Sequence, residues 1–397
     1  MYSYKEFFLR YLGQTSPEPL LIQVERAEGV FLYGPAGERY LDLVSGVSVS
    51  NTGHANPRII DAVRRQAEAY LHIMVYGEFI QSPQVRYAEL LVSLLPENLN
   101  CIYFVNSGSE AVEGAIKLTR RHTGRTEVVY FSNAYHGSTY GALSVQGSDL
   151  FRSAFGPLLP DTVMAGFNDR SVAGMITEKT AGVIVEPIQA EAGVILPDPG
   201  FLQLLRERCD ETGALLIFDE CQTGFGRTGT MFAMERYEVV PDILILAKAL
   251  GGGMPLGSFI ASGSIMKSLS FNPALGHITT FGGHPVCCAA GMASLQTLME
   301  EELVAGVVSK GQRFRSRLRH DLITEVRGEG LLLAVRLRDA GKARYVVSNA
   351  PRYGFVTDYF LFCPDSFRIA PPLSITNDEI DEACNMIIQL LDEAVKA

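Results

Sequence analysis

Five short, unbroken apolar runs constrain this chain more than any other feature of its 397 residues: Cys101–Val105, Val128–Phe131, Gly182–Val185, Ala214–Phe218 and Ile243–Ala247. Each is rich in Val, Ile, Leu or Phe, and none alternates with polar residues. A strand with one wet face alternates, whereas a strand buried on both faces does not. Stretches with helical spacing separate the runs, among them Glu110–Arg121 and Phe201–Thr212. Buried strands alternating with helices give a largely parallel sheet covered on both faces, so the predicted fold class is α/β.

The ends of the chain read differently. Gly29–Val44 is predicted to form a hairpin turning at Gly34-Pro-Ala-Gly37. Beyond about residue 300, helix alternates with short strands at Val326–Leu337, Gly354–Asp358 and Phe367–Ala370. Thr376–Ala397 is predicted to close the chain as an amphipathic helix capped by Thr376 or Asn377. Arg313, Arg315, Arg317 and Arg319 alternate through one stretch, but Phe314 and Leu318 sit among them at helical spacing, as on the solvated face of a surface helix. The expected organisation is one large domain over residues 46–289 and a smaller α+β domain built from residues 1–45 and 290–397.

Composition removes several function classes. With 47% hydrophobic and 20% charged residues the chain can build a substantial core. A net charge of −10 disfavours nucleic acid as a partner. No apolar run approaches the ~20 residues that span a bilayer, and the N-terminus has neither the apolar core nor the charge pattern of a secretory signal. Seven cysteines, an odd number without metal-ligand spacing and mostly within apolar runs, fit a reducing, cytoplasmic setting. No metal is expected.

In a parallel α/β sheet the chemistry collects at the carboxyl ends of the strands. Here those ends carry Asn106-Ser-Gly-Ser-Glu110, Tyr135-His-Gly137, Glu186-Pro-Ile-Gln189, Asp219-Glu-Cys-Gln222 and Lys248. Small residues opening a helix present free N–H groups to an anion, most often a phosphate; alone, Asn106–Glu110 reads as well as a plain helix cap. Asp219, after a buried strand, needs a partner, which could be a metal, a helix terminus or a protonated ring nitrogen. Lys248 stands before Ala-Leu-Gly-Gly-Gly253, where an amine can attack carbonyls; alone, it could equally extend its head to solvent. Gly224-Phe-Gly-Arg-Thr-Gly229 only superficially resembles a dinucleotide loop, since it does not directly follow a strand. Taken together, a phosphate cradle, an aromatic residue, an aspartate and a lysine are what pyridoxal 5'-phosphate requires: an anchor, a stacking face, a charge on the ring nitrogen, and an amine for its aldehyde.

These motifs, above all Asp219-Glu-Cys-Gln-Thr-Gly-Phe-Gly-Arg-Thr-Gly229 and Ala247-Lys-Ala-Leu-Gly-Gly-Gly253, resemble those of the class III (ornithine/4-aminobutyrate group) aminotransferases of fold type I. The similarity runs from Gly53-His54 to Arg368-Ile-Ala-Pro-Pro-Leu373. The resemblance implies that Lys248 holds pyridoxal phosphate as a Schiff base, that Gly108 and Ser109 bind its phosphate, and that Tyr135 stacks on its ring. Asp219 would pair with the ring nitrogen, Gln222 with its phenolic oxygen, and Cys221 would stand where the family usually has Val or Ile. Thr280 would reach the phosphate of the neighbouring subunit, which implies a homodimer. Arg368 would clasp an α-carboxylate, and Glu191 would pair with that arginine when an ω-amine donor is bound.

The implied reaction is ping-pong transfer of an amino group from an ω-amine or amino-acid donor to a 2-oxo acid, with 2-oxoglutarate expected and pyruvate the alternative. Ser138 departs from the ornithine and acetylornithine subgroups, which place an arginine there, and Val47 replaces a tyrosine near the entrance. A diamine, an ω-amino acid or a less polar amine is therefore the expected donor. Rival readings are an aminomutase, decarboxylase or racemase on the same fold, or a nucleotide-binding dehydrogenase, which would leave Lys248 and Asp219 without a role.

Overall fold

The computed structural model describes residues 4–396. Residues 1–3 and 397, which the expected small domain and final helix include, lie outside them. The apolar runs assemble into a seven-stranded sheet. From edge to edge its order is Cys101–Val105, Gly257–Ala261, Ile243–Leu246, Leu215–Asp219, Thr180–Val185, Glu127–Phe131 and Thr162–Ala165. The last five pair in parallel, and Gly257–Ala261 runs antiparallel to both of its neighbours. Every residue of the strands Thr180–Val185, Leu215–Asp219 and Ile243–Leu246 is buried, as unbroken apolar runs require.

Two strands of this sheet escaped the sequence pattern for physical reasons. Thr162–Ala165 is an edge strand with one exposed and two half-buried residues, so it never needed a long apolar run. Gly257–Ala261 begins with a glycine whose added Cβ would lie 2.2 Å from the Ser107 carbonyl oxygen. That glycine reads as a break in a strand, but here it permits a close backbone approach.

The helix Gly108–Thr123 follows the first strand and packs Ala111, Val112, Ala115 and Ile116 into the core. Gly114 lets it lie directly on the sheet, where a Cβ would meet the Phe259 ring at 2.2 Å. It ends at Gly124 with φ +71°, a left-handed cap that favours glycine.

The N-terminal hairpin pairs Phe31–Tyr33 with Arg39–Asp42, and the latter pairs in parallel with Phe355–Val356 from the far end of the chain. A separate antiparallel sheet contains Ile323–Glu329, Leu332–Leu337, Cys363–Ile369 and Tyr359–Phe360, in that order. Val307–Arg317 is the expected surface helix, with Phe314 buried. Thr376 caps the closing helix Asn377–Ala394 through a reciprocal pair with Glu379. Among the described residues no helix is long and apolar enough to cross a membrane.

Candidate active site

Four of the five polar strand ends line a common cleft, and the end at Glu186–Gln189 stands behind it. Val49, Asn106, Gly108, Ser109, Tyr135, His136, Asp219, Cys221 and Lys248 line one cleft of about 500 Å³. Lys248 opens a short 3₁₀ turn directly beyond the strand Ile243–Leu246 and takes φ +53°, a left-handed conformation uncommon outside glycine. The buried residues on both sides of it, Ala247 and Ala249, fix that turn.

One wall of the cleft is an anion cradle. Ser107 caps the helix Gly108–Thr123 by accepting from the Glu110 N–H at 3.2 Å, while Glu110 accepts from the Asn106 N–H at 2.7 Å. The cap and the cradle are thus the same structure. Ser109 Oγ accepts from the Ser138 N–H at 3.2 Å, and Gly137, at φ +126°, passes so close that a Cβ there would sit 2.1 Å from Ser109 Oγ. Gly108 lies against Cys221, whose Sγ would be 3.1 Å from an added Cβ.

The opposite side of the site is acidic and closely tied. Asp219 Oδ2 lies 2.8 Å from His136 Nδ1, and Oδ1 accepts from the Cys221 N–H at 3.0 Å. Burial alone would raise the Asp219 carboxyl, but the histidine and the Cys221 contacts outweigh it and hold the group below its ordinary range. Asp219 therefore presents a carboxylate. The Cys221 thiol is pushed well above its ordinary value by burial and by Asp219, and stays neutral. Behind them Glu186 accepts from the Tyr135 N–H at 3.0 Å and the Ala190 N–H at 3.1 Å. Burial, against the pull of His136, lifts the Glu186 carboxyl to about 7.

Arg368 and Glu191 form a second cluster. Arg368 is 1% exposed and donates from Nη2 to Glu191 Oε1 at 2.8 Å, from Nη1 to Gln222 Oε1 at 2.5 Å and from Nε to Asp358 Oδ1 at 2.8 Å. Gln222 Nε2 in turn donates to Glu191 Oε1 at 3.3 Å. Burial opposes the charge of Glu191, but Arg368 outweighs it, with Lys248 adding to the pull, so the carboxyl lies below its ordinary range.

The profile of the family described as aminotransferase class-III matches residues 12–391. The chain belongs to the class III aminotransferases. Among curated relatives, the acetylornithine aminotransferase of Methanosarcina mazei is 40% identical over 390 residues, covering 96% of this chain and 94% of the relative. That of Methanopyrus kandleri is 42% identical over 361 residues, 90% of each chain. Among solved structures, an ornithine aminotransferase from Toxoplasma gondii superposes with a TM-score of 0.90 at 30% identity over 99% of this chain and 94% of its own. An omega transaminase from Pseudomonas jessenii in complex with PMP gives 0.92 at 26% identity over 100% and 99%.

A class III aminotransferase uses pyridoxal 5'-phosphate, and the cleft fits that group. The cradle at Gly108, Ser109 and Gly137 is kept open by glycine where a Cβ would collide, and buried His136 Nε2 has no hydrogen-bond partner among the described residues.

Six of the eight expected cofactor residues line the cleft: Gly108, Ser109, Tyr135, Asp219, Cys221 and Lys248. Gln222 instead contacts the Arg368 cluster, and Thr280 lies exposed on the segment between Ser270 and Pro285. The strand-end motifs already contained His136 and Glu186, without a role for either, whereas Asp358 and Arg227 had no place among the expected site residues. For His136 the signal in the sequence was its place in the strand-end motif Tyr135-His-Gly137; its pairing with Asp219 comes from the fold. Arg227 lay hidden in the glycine-rich stretch; its guanidinium is buried and donates to Leu331 O, Pro371 O and Asn51 Oδ1 at 3.0, 2.6 and 2.6 Å.

Proposed function

We propose that this aminotransferase takes an amino group from an ω-amine or amino-acid donor and passes it to a 2-oxo acid, with 2-oxoglutarate the expected acceptor, by a ping-pong sequence through Lys248. The observation that carries the reading is the Arg368–Glu191 ion pair at 2.8 Å, buried beside the cofactor cleft. An arginine that served only structure would have fixed partners. Here one partner, Glu191, is a side chain on the segment after the strand Thr180–Val185, and it can be replaced by a substrate carboxylate of the same charge.

In this reading Gly108 and Ser109 hold the cofactor phosphate at the helix N-terminus, and Tyr135 and Cys221 flank its ring. Asp219 keeps the ring nitrogen protonated, with His136 and the Cys221 N–H holding the carboxylate ionised and in place. Gln222 serves the phenolic oxygen or the Arg368 cluster. The bound cofactor supplies an aldehyde and an electron-withdrawing ring. Lys248 holds it and then moves the proton at the substrate carbon that bears nitrogen. Thr280, on its exposed segment, contributes to the phosphate of a partner subunit. Exposed apolar side chains at Leu71, Phe79 and Ile80, and at Leu275, Ile278 and Phe281, support a homodimer. We assign the large unit to residues 46–289, the small one to 1–45 and 290–397, and the location to the cytoplasm.

The donor follows from the mouth of the cleft. Ser138 there is exposed and carries no charge, so nothing at that position attracts a distal carboxylate. A diamine, an ω-amino acid or a less polar amine suits it best. The curated relatives favour a second reading, acetylornithine as donor, and comparing kcat/KM for acetylornithine with that for uncharged-end amines decides between the two.

The test of the proposed exchange is Glu191→Ala. Without Glu191 the buried guanidinium stays open, so glutamate competes better and amines lacking an α-carboxylate compete worse. The ratio of kcat/KM for glutamate to that for the best ω-amine should rise by about 10- to 100-fold, the scale of one charged contact. An unchanged ratio makes Glu191 a structural residue and removes the dual-substrate reading.

A further inference from the structure

Two carboxylates hold Arg368, and they hold it differently. Glu191 and Gln222 occupy Nη2 and Nη1, the edge an incoming carboxylate needs for two parallel hydrogen bonds. Asp358 takes Nε at 2.8 Å. Its backbone is fixed against the same strand: the Arg368 N–H donates to the Asp358 carbonyl at 3.0 Å, and Tyr359 pairs with Phe367. The Phe360 ring lies 4.5 Å from the guanidinium carbon and flanks it. Glu191 and Asp358 thus hold different nitrogens of the guanidinium, and only Glu191 sits on the edge an incoming carboxylate needs.

We propose that Asp358 is a specificity-determining positioning residue: a permanent counter-ion that fixes the Arg368 fork and weakens its grip on α-carboxylates, biasing the enzyme toward amines with no carboxylate at that end. The inference rests on the Arg368–Glu191 reading above.

Charge counting carries it. Four charges meet here: Arg368, Arg227, Glu191 and Asp358. Arg227 lies close enough for the two guanidinium charges to oppose each other. With Glu191 in place the four sum to zero. A substrate carboxylate adds one negative charge, and displaced Glu191 stays nearby, so binding drives the cluster to a net −1. Asp42 also faces Asp358 and Arg227; it is paired with His54 at 2.8 Å and is common to wild type and to a variant at residue 358. Lys248 faces Glu191 from the cleft and is the same in wild type and in a variant at residue 358. If residue 358 were neutral, the same event would carry the cluster from +1 to zero. In an interior where charges are poorly screened, the second change favours the carboxylate. An amine whose far end is uncharged alters neither sum.

The experiment loads the enzyme with pyridoxamine 5'-phosphate and follows its reaction with 2-oxoglutarate by cofactor absorbance, so that no amine donor is needed. Three proteins are compared: wild type, Asp358→Asn and Arg368→Lys. Asparagine keeps an oxygen for the Nε–H and removes the charge. The half-saturating 2-oxoglutarate concentration should fall about five- to tenfold in Asp358→Asn, with the effect in half-saturation rather than in the limiting rate. Asp358→Ser, a second neutral replacement, should move it in the same direction. Arg368→Lys should raise it at least tenfold, because the fork is lost. If Arg368→Lys raises it but both neutral variants leave it unchanged or raise it, the Asp358 proposal is overturned and the arginine reading stands. If Arg368→Lys leaves it unchanged, the carboxylate reading itself fails, and this inference falls with it.

Discussion

At Asp219 a single side chain shows how residues around a cofactor are tuned. Both carboxylate oxygens are engaged, one by His136 at 2.8 Å and one by the Cys221 N–H at 3.0 Å. Those contacts overcome burial and keep the group ionised. Asp219→Asn preserves shape but cannot hold a proton on a ring nitrogen, so kcat should fall on the order of 100-fold or more, as loss of a key electrostatic contact commonly brings. A rate within about threefold of wild type would mean that the ring is activated by another group. At this scale the sequence was informative about what terminates each strand and silent about what lies beside it. Asp219 and Lys248 stand out because a charged residue ending an apolar run needs a reason. His136 and Asp358 did not, because their meaning depends on partners 83 and 10 residues away that only the fold brings near.

Among the elements, the short helix Ala233–Tyr237 is held to the strand Leu215–Asp219 by one buried carboxyl. Glu220, directly after that strand, accepts from the N–H groups of Ala233 and Met234 at 2.5 and 2.8 Å. Burial, only partly offset by those N–H groups, lifts its pKa from 4.5 to about 7. The folded state thus holds this proton more tightly than the unfolded chain. The resulting stability is fully present below pH ~4.5 and is lost as pH rises through about 7. Glu220→Gln removes that dependence, so its Tm relative to wild type should climb between pH 5 and pH 8. A Tm difference that stays constant across the interval would place the Glu220 proton elsewhere. Elements with a strong local signature were legible: the unbroken apolar strands, the hairpin turning near Gly34–Gly37, and the Thr376 cap. The strands Thr162–Ala165 and Gly257–Ala261 were not, because an exposed edge and a glycine chosen for close approach leave no periodic trace.

For the whole molecule, the two ends of the chain converge on the centre. Arg227 bonds to Asn51 from one end and to Leu331 and Pro371 from the other, and Phe355–Val356 extends the N-terminal sheet. Such contacts span more than a hundred residues, and periodicity cannot reveal them. If Thr280 serves a partner's phosphate, cofactor retention should follow assembly. Light scattering should report a dimer or larger, and dilution below the dimer dissociation point should release cofactor; a monomer that retains full activity would contradict the shared site. Amino transfer through Lys248 is tested most directly by the spectrum of the cofactor-loaded protein. An amine donor should bleach the visible band of the bound cofactor, and 2-oxoglutarate added after the donor is removed should restore it. Lys248→Ala should bind the cofactor but fail to cycle between the two states at any comparable rate. A wild-type band that no amine bleaches, or a Lys248→Ala variant that cycles like wild type, would contradict the account.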